Sequence, residues 1–83
     1  MGYQDIDRMI GQKIRAERIK QGMTVAVAAR LIGISQPELE RIEAGKTYLD
    51  AALIRQFSLS LKKPIAWFYG QQVRSIKFPL KRG

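Results

Sequence analysis

The sequence contains no cysteine and no histidine. Without cysteine the chain cannot form disulfides or thiolate metal sites, and without histidine it lacks the commonest metal ligand and general base. Its seven carboxylates form no recognisable catalytic pair, and no glycine-rich phosphate-binding loop precedes a helix. We therefore expect no metal, no cofactor and no catalytic residue, and the protein is predicted not to be an enzyme.

Long apolar runs are also missing. The longest apolar stretches fall well short of the ~20 residues that a membrane-spanning helix needs. The first residues lack the basic segment and apolar core that mark a secretory signal. We therefore expect a soluble, cytoplasmic protein without a membrane partner.

The chain is rich in basic residues, and they are unevenly placed. Fifteen Lys and Arg against seven Asp and Glu give a net charge of +8 over 83 residues, which favours a polyanion such as nucleic acid as partner. Residues 1–70 carry eleven of the basic groups and all seven acids, whereas residues 71–83 carry four basic groups and no acid. We expect one domain over 1–70 and a basic C-terminal tail over 71–83.

Helical spacing of apolar residues dominates the first half of the chain. Ile6, Ile10 and Ile14 recur every four residues and predict a first helix over about residues 7–21, with aspartates at its start. Thr24 can cap a second helix that continues to Ile32 and stops at the next glycine. This second helix has small side chains that let another helix approach closely.

A third helix follows after a tight turn. Ser35 and Glu38 have the spacing of a capping box, and Pro37 suits the first helical turn because its missing amide hydrogen costs nothing there. The helix is expected to end at Glu43 or one residue later. Only three residues separate the second and third helices, which is typical of a helix-turn-helix.

Two further helices and a possible strand complete the predicted fold. Asp50 begins a fourth helix, and residues 65–69 form a short fifth helix that stops at a glycine. In the tail, apolar residues alternate with other types from Ile76 to Leu80, which indicates a short edge strand. The predicted class is all-α: a compact five-helix domain with a short C-terminal extension that contains at most one β-strand.

Several runs of this sequence resemble the DNA-binding domain of the phage repressor and Cro family, also called the xenobiotic-response-element family. The resemblance extends from about residue 10 to 68, and the matching runs are Ile10–Arg15, Gly22–Thr24, Ala29–Ser35 and Arg41–Lys46. It implies a lambda-repressor-like domain, usually dimeric, whose third helix enters the major groove of DNA. It also implies a bacterial or phage-encoded protein that acts at the nucleoid.

The resemblance assigns base reading to the exposed side of the third helix, which holds Gln36, Pro37, Glu40 and Arg41. Gln36 can pair with adenine and Arg41 with guanine, each pair contributing about 1–3 kcal/mol of discrimination. Glu40 either accepts a hydrogen bond from cytosine or orients Arg41, and Pro37 can touch a thymine methyl. This helix departs from the family pattern in two ways: Pro37 occupies a place often held by a polar reader, and Glu38 and Glu40 bring negative charge toward phosphate.

Other positions are expected to hold the DNA backbone or the fold. Five residues are expected to contact phosphate: Thr24, Ser35, Lys46, Thr47 and Tyr48. Val25 departs from the family, whose members often place a glutamine clamp there. Lys13, Arg15 and Arg30 either flank the duplex or are ordinary solubilising charges. In the family an arginine late in the first helix commonly pairs with a glutamate near the end of the third, and Arg18 and Glu43 stand at those positions.

The tail has two open interpretations. In one, Ile76, Phe78 and Leu80 form a strand that pairs with its copy across a dimer axis, aided by Trp67 and Phe68 of the fifth helix. In the other, the tail is a basic arm that follows phosphate or the minor groove.

The expected function is sequence-specific DNA binding by a homodimer, as a transcriptional regulator that represses from a pseudo-palindromic operator in double-stranded DNA. The alternative is an antitoxin or protein-interaction module with a helix-turn-helix fold and weak or no DNA binding of its own. In that case a protein such as a toxin or antirepressor is the partner.

Overall fold

The computed structural model describes residues 3–69, with side chains from residue 5 onward. Five helices follow one another: α1 (Tyr3–Lys20), α2 (Val25–Ile32), α3 (Gln36–Glu43), α4 (Ala51–Leu61) and α5 (Ile65–Tyr69). The predicted all-α five-helix domain is thereby confirmed. The possible strand and the tail over 71–83 lie outside the described residues.

The helices enclose one apolar core to which all five contribute. Helix α1 packs against α3, α4 and α5, while α2 packs against α3 and α4. Because apolar side chains recur at helical spacing, each helix turns one face inward. The buried core consists of Ile10, Ile14, Ala28, Ala29, Ile32, Leu39, Ile42, Leu49, Ile54, Phe57, Leu61 and Phe68.

Polar side chains fix where three of the helices begin. Thr24 accepts a hydrogen bond from the amide of Val27 and caps α2, while Ser35 accepts one from the amide of Glu38 and caps α3. Asp50 caps α4 through the amide of Leu53. These caps, predicted from the residue types, are confirmed, and each satisfies an amide that has no partner within its helix.

The turn between α2 and α3 depends on Gly33. Its backbone lies in the left-handed region with φ of 90°, and its amide donates to the carbonyl of Ala29. A side chain at this φ is strained, so glycine is the residue that reverses the chain here. The turn fixes the orientation of α3 relative to α2.

The prediction for the first helix was wrong at its start. Helix α1 begins at Tyr3, four residues before the predicted boundary at residue 7. Asp7 therefore lies within the helix, where it is 3% exposed, and its Oδ1 accepts a hydrogen bond from the amide of Leu49 at 3.3 Å. An acidic residue near a helix start resembles a cap in the sequence, but this one stabilises a distant loop.

Gly11 allows the close approach of α1 and α3. A methyl group at this position would collide with the carbonyl oxygen of Ile42 and lie 3.1 Å from that of Glu43. Both are backbone atoms, which cannot move aside as a flexible side chain can. The absence of a side chain at Gly11 therefore sets the distance between the first helix and the end of the third.

Candidate nucleic-acid interface

Helix α3 has one buried and one exposed face. Leu39 and Ile42 have no exposed surface, which fixes the helix on the core. The four residues predicted to read bases are all exposed: Gln36, Pro37, Glu40 and Arg41. Together these four side chains form the reading face of α3.

The two caps beside the reading face retain hydrogen-bonding capacity. Thr24 Oγ1 accepts from the Val27 amide at 3.1 Å, and Ser35 Oγ accepts from the Glu38 amide at 3.2 Å. A hydroxyl that accepts one bond can still donate its own hydrogen. Both residues are exposed, so each can donate to a phosphate oxygen while it caps its helix.

The loop after α3 carries the other predicted phosphate contacts. Lys46 and Tyr48 are exposed and Thr47 is half-buried. The loop is held at its end by Leu49, which is 7% exposed and donates its amide to Asp7. Helix α1 thus fixes the segment that presents these three residues next to α3.

Arg18 and Glu43 join α1 to the end of α3. Arg18 Nε lies 2.7 Å from Glu43 Oε2, and its Nη2 lies 3.0 Å from Glu43 Oε1, which makes the pair bidentate. The hydrogen bond to Glu43 raises the pKa of Arg18, against the opposing effect of burial. A third bond runs from Arg18 Nη1 to the carbonyl of Met23 at 2.9 Å. The structure thus brings together the two residues that the family resemblance pairs.

This pair changes the charge that α3 presents. The helix contains three acids, but Glu43 faces Arg18 and its side chain is 7% exposed. On the reading face, the negative charge of Glu40 stands beside the positive charge of Arg41. The face is therefore much less acidic than the sequence of the helix indicates.

A second polar cluster ties the end of α1 to the end of α4. Gln21 Nε2 donates to Glu17 Oε2 at 2.8 Å and to the carbonyl of Leu61 at 3.0 Å. The ammonium of Lys63 lies 3.8 Å from Glu17 Oε2. The hydrogen bond from Gln21, helped by Lys63 and Lys20 and opposed by burial, lowers the pKa of Glu17.

The two residues of α5 that are predicted to support a dimer differ in their burial. Phe68 has no exposed surface because the core of its own chain encloses the ring, so it has no surface to offer a partner. Trp67 is half-buried, and the ammonium groups of Lys13 and Lys63 lie 4.6 and 5.3 Å from the ring centroid. The tail residues Ile76, Phe78 and Leu80 lie outside the described residues.

An open groove of about 540 Å³ lies between α1 and α3. Helix α1 lines it with Arg8, Gln12 and Arg15, α2 with Val25, and α3 with Glu40 and Ala44. The buried pair of Arg18 and Glu43 lines it as well. Because Glu40 belongs to both surfaces, the groove adjoins the reading face.

Three features of this region were not predicted from the sequence: the hydrogen bond from the Leu49 amide to Asp7, the close contact at Gly11, and the contribution of Arg8 and Gln12 to the lining of the groove. A glycine in the middle of a strongly periodic helix was an available signal for the close contact. The spacing of Arg8, Gln12 and Arg15 at i, i+4 and i+7 was a signal for a polar stripe on α1.

Residues 3–69 present neither a metal-binding cluster nor a membrane-spanning helix. In that part of the chain no group of three or more acidic side chains is placed to hold a metal ion. None of the helices in the same range has the length and apolar character that a membrane span requires.

Comparison with curated proteins finds relatives described as transcriptional regulators. An uncharacterised HTH-type transcriptional regulator, y4wC of Sinorhizobium fredii, is 26% identical over 72 residues, which are 87% of this chain and 50% of that protein. An uncharacterised transcriptional regulator in the ATPase CF(0) region of Rhodospirillum rubrum is 26% identical over 69 residues, or 83% of this chain and 64% of that protein. The chain therefore spans about half the length of the first relative and under two thirds of the second.

Comparison with solved structures and family models agrees on the fold. The clp gene regulator ClgR from C. glutamicum superposes with a TM-score of 0.74 at 19% identity, over 88% of this chain and 95% of that one. The restriction-modification controller protein C.AhdI from Aeromonas hydrophila gives a TM-score of 0.72 at 21% identity, over 81% of this chain and all of that one. A helix-turn-helix family model matches residues 14–68, which contain the last part of α1, all of α2, α3 and α4, and most of α5. The chain belongs to the helix-turn-helix family, whose members of this type are regulators rather than enzymes.

Proposed function

We propose that this protein is a transcriptional regulator that binds specific sequences in double-stranded DNA through α3. The observation that carries the proposal is the reading face: exposed polar side chains on a helix whose other face is fixed in the core. The curated relatives described as transcriptional regulators support the same function.

The chemistry of the reading face suits the major groove. Gln36 can donate to and accept from the edge of adenine, and Arg41 can donate two hydrogen bonds to guanine. Glu40 can accept from cytosine or orient Arg41, and Pro37 can contact a thymine methyl. These four residues are the proposed readers, while Thr24, Ser35, Lys46, Thr47 and Tyr48 are proposed to position the protein on phosphates.

We further propose that the protein binds as a homodimer to a pseudo-palindromic operator and represses by occlusion. Exposed apolar side chains on the last two helices support self-association: Leu59 is 69% exposed and Ile65 is 47% exposed. A two-fold dimer would place two copies of α3 about one helical turn of DNA apart. Sedimentation of the wild type and of Ile65→Glu tests this, since the variant is expected to dissociate to monomers at lower loading concentrations.

Selection of bound duplexes from random DNA with purified protein tests the proposed function. We expect enrichment of a short motif that recurs as an inverted repeat. Recovery of no motif, together with no binding at low salt, contradicts sequence-specific binding.

The second candidate is a protein-interaction module, such as an antitoxin, and one observation favours it. Glu40 places a carboxylate on the reading face, where phosphate would repel it. Failure of the selection combined with stable capture of a toxin encoded next to this gene would support that candidate.

A further inference from the structure

The groove between α1 and α3 is a candidate binding site in its own right. It has a volume of about 540 Å³ and is open to solvent. Arg8, Gln12 and Arg15 project into it from one side of α1, because residues spaced four and three apart share a helix face. All three are exposed.

The close packing at Gly11 explains why the stripe of Arg8, Gln12 and Arg15 on α1 lies next to α3. Arg8 lies three residues before Gly11 and Arg15 lies four residues after it, so both share its side of the helix. Gly11 contacts the backbone of α3 at Ile42 and Glu43. The two arginines therefore flank the point at which the first and third helices touch.

The groove has an excess of positive charge. Arg18 and Glu43 neutralise each other through two hydrogen bonds. The remaining charged groups are Arg8 and Arg15 against Glu40. Neither arginine forms an ion pair within the described part of the chain, so both are available to an anion.

We propose that this groove binds the phosphate backbone of DNA next to the reading face: the guanidinium groups of Arg8 and Arg15 each contact a phosphate, and the side-chain amide of Gln12 donates to the same stretch of backbone. Helix α1 then takes part in positioning α3 on the duplex. This inference rests on the proposed function, since Glu40 belongs both to the groove and to the reading face. Guanidinium groups match the geometry of phosphate oxygens and can bind them in pairs.

The salt dependence of DNA binding tests the inference. Titrations with a selected duplex and with a scrambled duplex, over a range of salt concentrations, compare the wild type with Arg8→Ala and Arg15→Ala. For each variant we expect the slope of log K against log salt to be shallower by about 0.9. When the salt concentration rises from 50 to 200 mM, the affinity of every protein falls. The decrease for each arginine variant should be smaller than the decrease for the wild type by a factor of about 3.5. Both duplexes should be affected equally, because phosphate carries no sequence information.

Arg55→Ala is the matched control. Arg55 is exposed on α4 and does not line the groove, so its removal should leave the slope unchanged. If all three variants keep the slope of the wild type while the wild type still discriminates between duplexes, the inference is wrong and the proposed function stands. If the wild type binds neither duplex at low salt, both are wrong.

A stability measurement separates binding from a purely structural role. Arg8 and Arg15 also stand near the end of α3, where positive charge can stabilise the negative end of a helix. Thermal unfolding of the same variants is expected to show little change. If Arg15→Ala unfolds at a lower temperature and regains wild-type affinity when the titration is cooled, the arginines serve the fold and the inference is overturned.

Discussion

The bidentate pair of Arg18 and Glu43 allows the most detailed prediction, which concerns the replacement of Glu43 by glutamine. The substitution keeps the shape of the side chain but removes its charge. The side chain of Arg18, which is 10% exposed, then has no counter-ion. We expect the free energy of unfolding to decrease because a buried charge loses its partner.

The structure sets the size of this effect. Removing one partner of a buried ion pair costs about 3–5 kcal/mol, and a single hydrogen bond to a charged group contributes about 1.5–3 kcal/mol. Arg18 keeps its bond to the carbonyl of Met23 and lines a groove that water can enter. Because both features reduce the loss, we expect about 2–3 kcal/mol for Glu43→Gln. In a domain of this size such a loss lowers the unfolding midpoint by about 8–24 °C.

Thermal and urea unfolding, followed by circular dichroism, measure this change. Glu40→Gln is the matched control on the same helix, since Glu40 is exposed, and it should change stability by less than about 0.5 kcal/mol. The double variant Arg18→Met with Glu43→Leu removes both charges and should be more stable than Glu43→Gln alone. Equal stability of Glu43→Gln and Glu40→Gln would refute the role assigned to the pair.

Three further predictions address packing, pH and DNA binding. Gly11→Ala should destabilise the domain by about 1–2 kcal/mol in urea unfolding, because overpacking against α3 outweighs the better helix propensity of alanine; a gain in stability would contradict the contact. Glu17 has a lowered pKa in the folded state, so its contribution to stability is present above its ordinary pKa and is lost as the pH falls through the lowered value. Unfolding measured from about pH 6 to 3 should therefore be less acid-sensitive in Gln21→Ala, which lacks the principal hydrogen bond to Glu17, and an unchanged profile would refute this cause. Arg41→Ala should relax specificity at one base position, whereas Lys46→Ala should weaken binding to all duplexes and reduce the salt slope by about one; identical behaviour of the two variants would mean that the readers are wrongly assigned.

The fold could be predicted from the sequence where local chemistry decides it. Thr24, Ser35 and Asp50 are residues that prefer helix N-caps, and each caps the helix expected of it. Gly33 occupies a position that requires a positive φ. Such features depend on neighbouring residues alone, so the starts of α2, α3 and α4 needed no knowledge of tertiary contacts.

The predictions failed where a distant partner decides a residue's role. The sequence predicts that Asp7 lies at a helix start, yet its side chain accepts a hydrogen bond from the amide of Leu49, which lies 42 positions away. Phe68, expected with Trp67 to aid a dimer, is completely buried by the packing of α5 against α1 and α4. The part of Trp67 in a dimer stays a prediction. Helical spacing shows that a side chain lies on the apolar face of its helix. The spacing cannot distinguish burial within the same chain from burial against a partner.

The candidate site was predictable in its outline and not in its charge. The reading face follows from the period of α3 once Leu39 and Ile42 are placed in the core. Its electrostatics depend on Arg18, which lies 25 positions from Glu43 and offsets one of the three acids of the helix. Pairings at this separation were available only through the family resemblance.

The ratio of affinities for a selected and a scrambled duplex, measured at physiological salt, tests the central claim most directly. A protein that reads bases through Gln36 and Arg41 should bind the selected duplex at least about 10³-fold more tightly than the scrambled one. Both affinities should fall steeply as salt rises, since both depend on phosphate contacts. A ratio near one, or no binding to either duplex at low salt, would contradict the assignment of α3 as a sequence-reading helix.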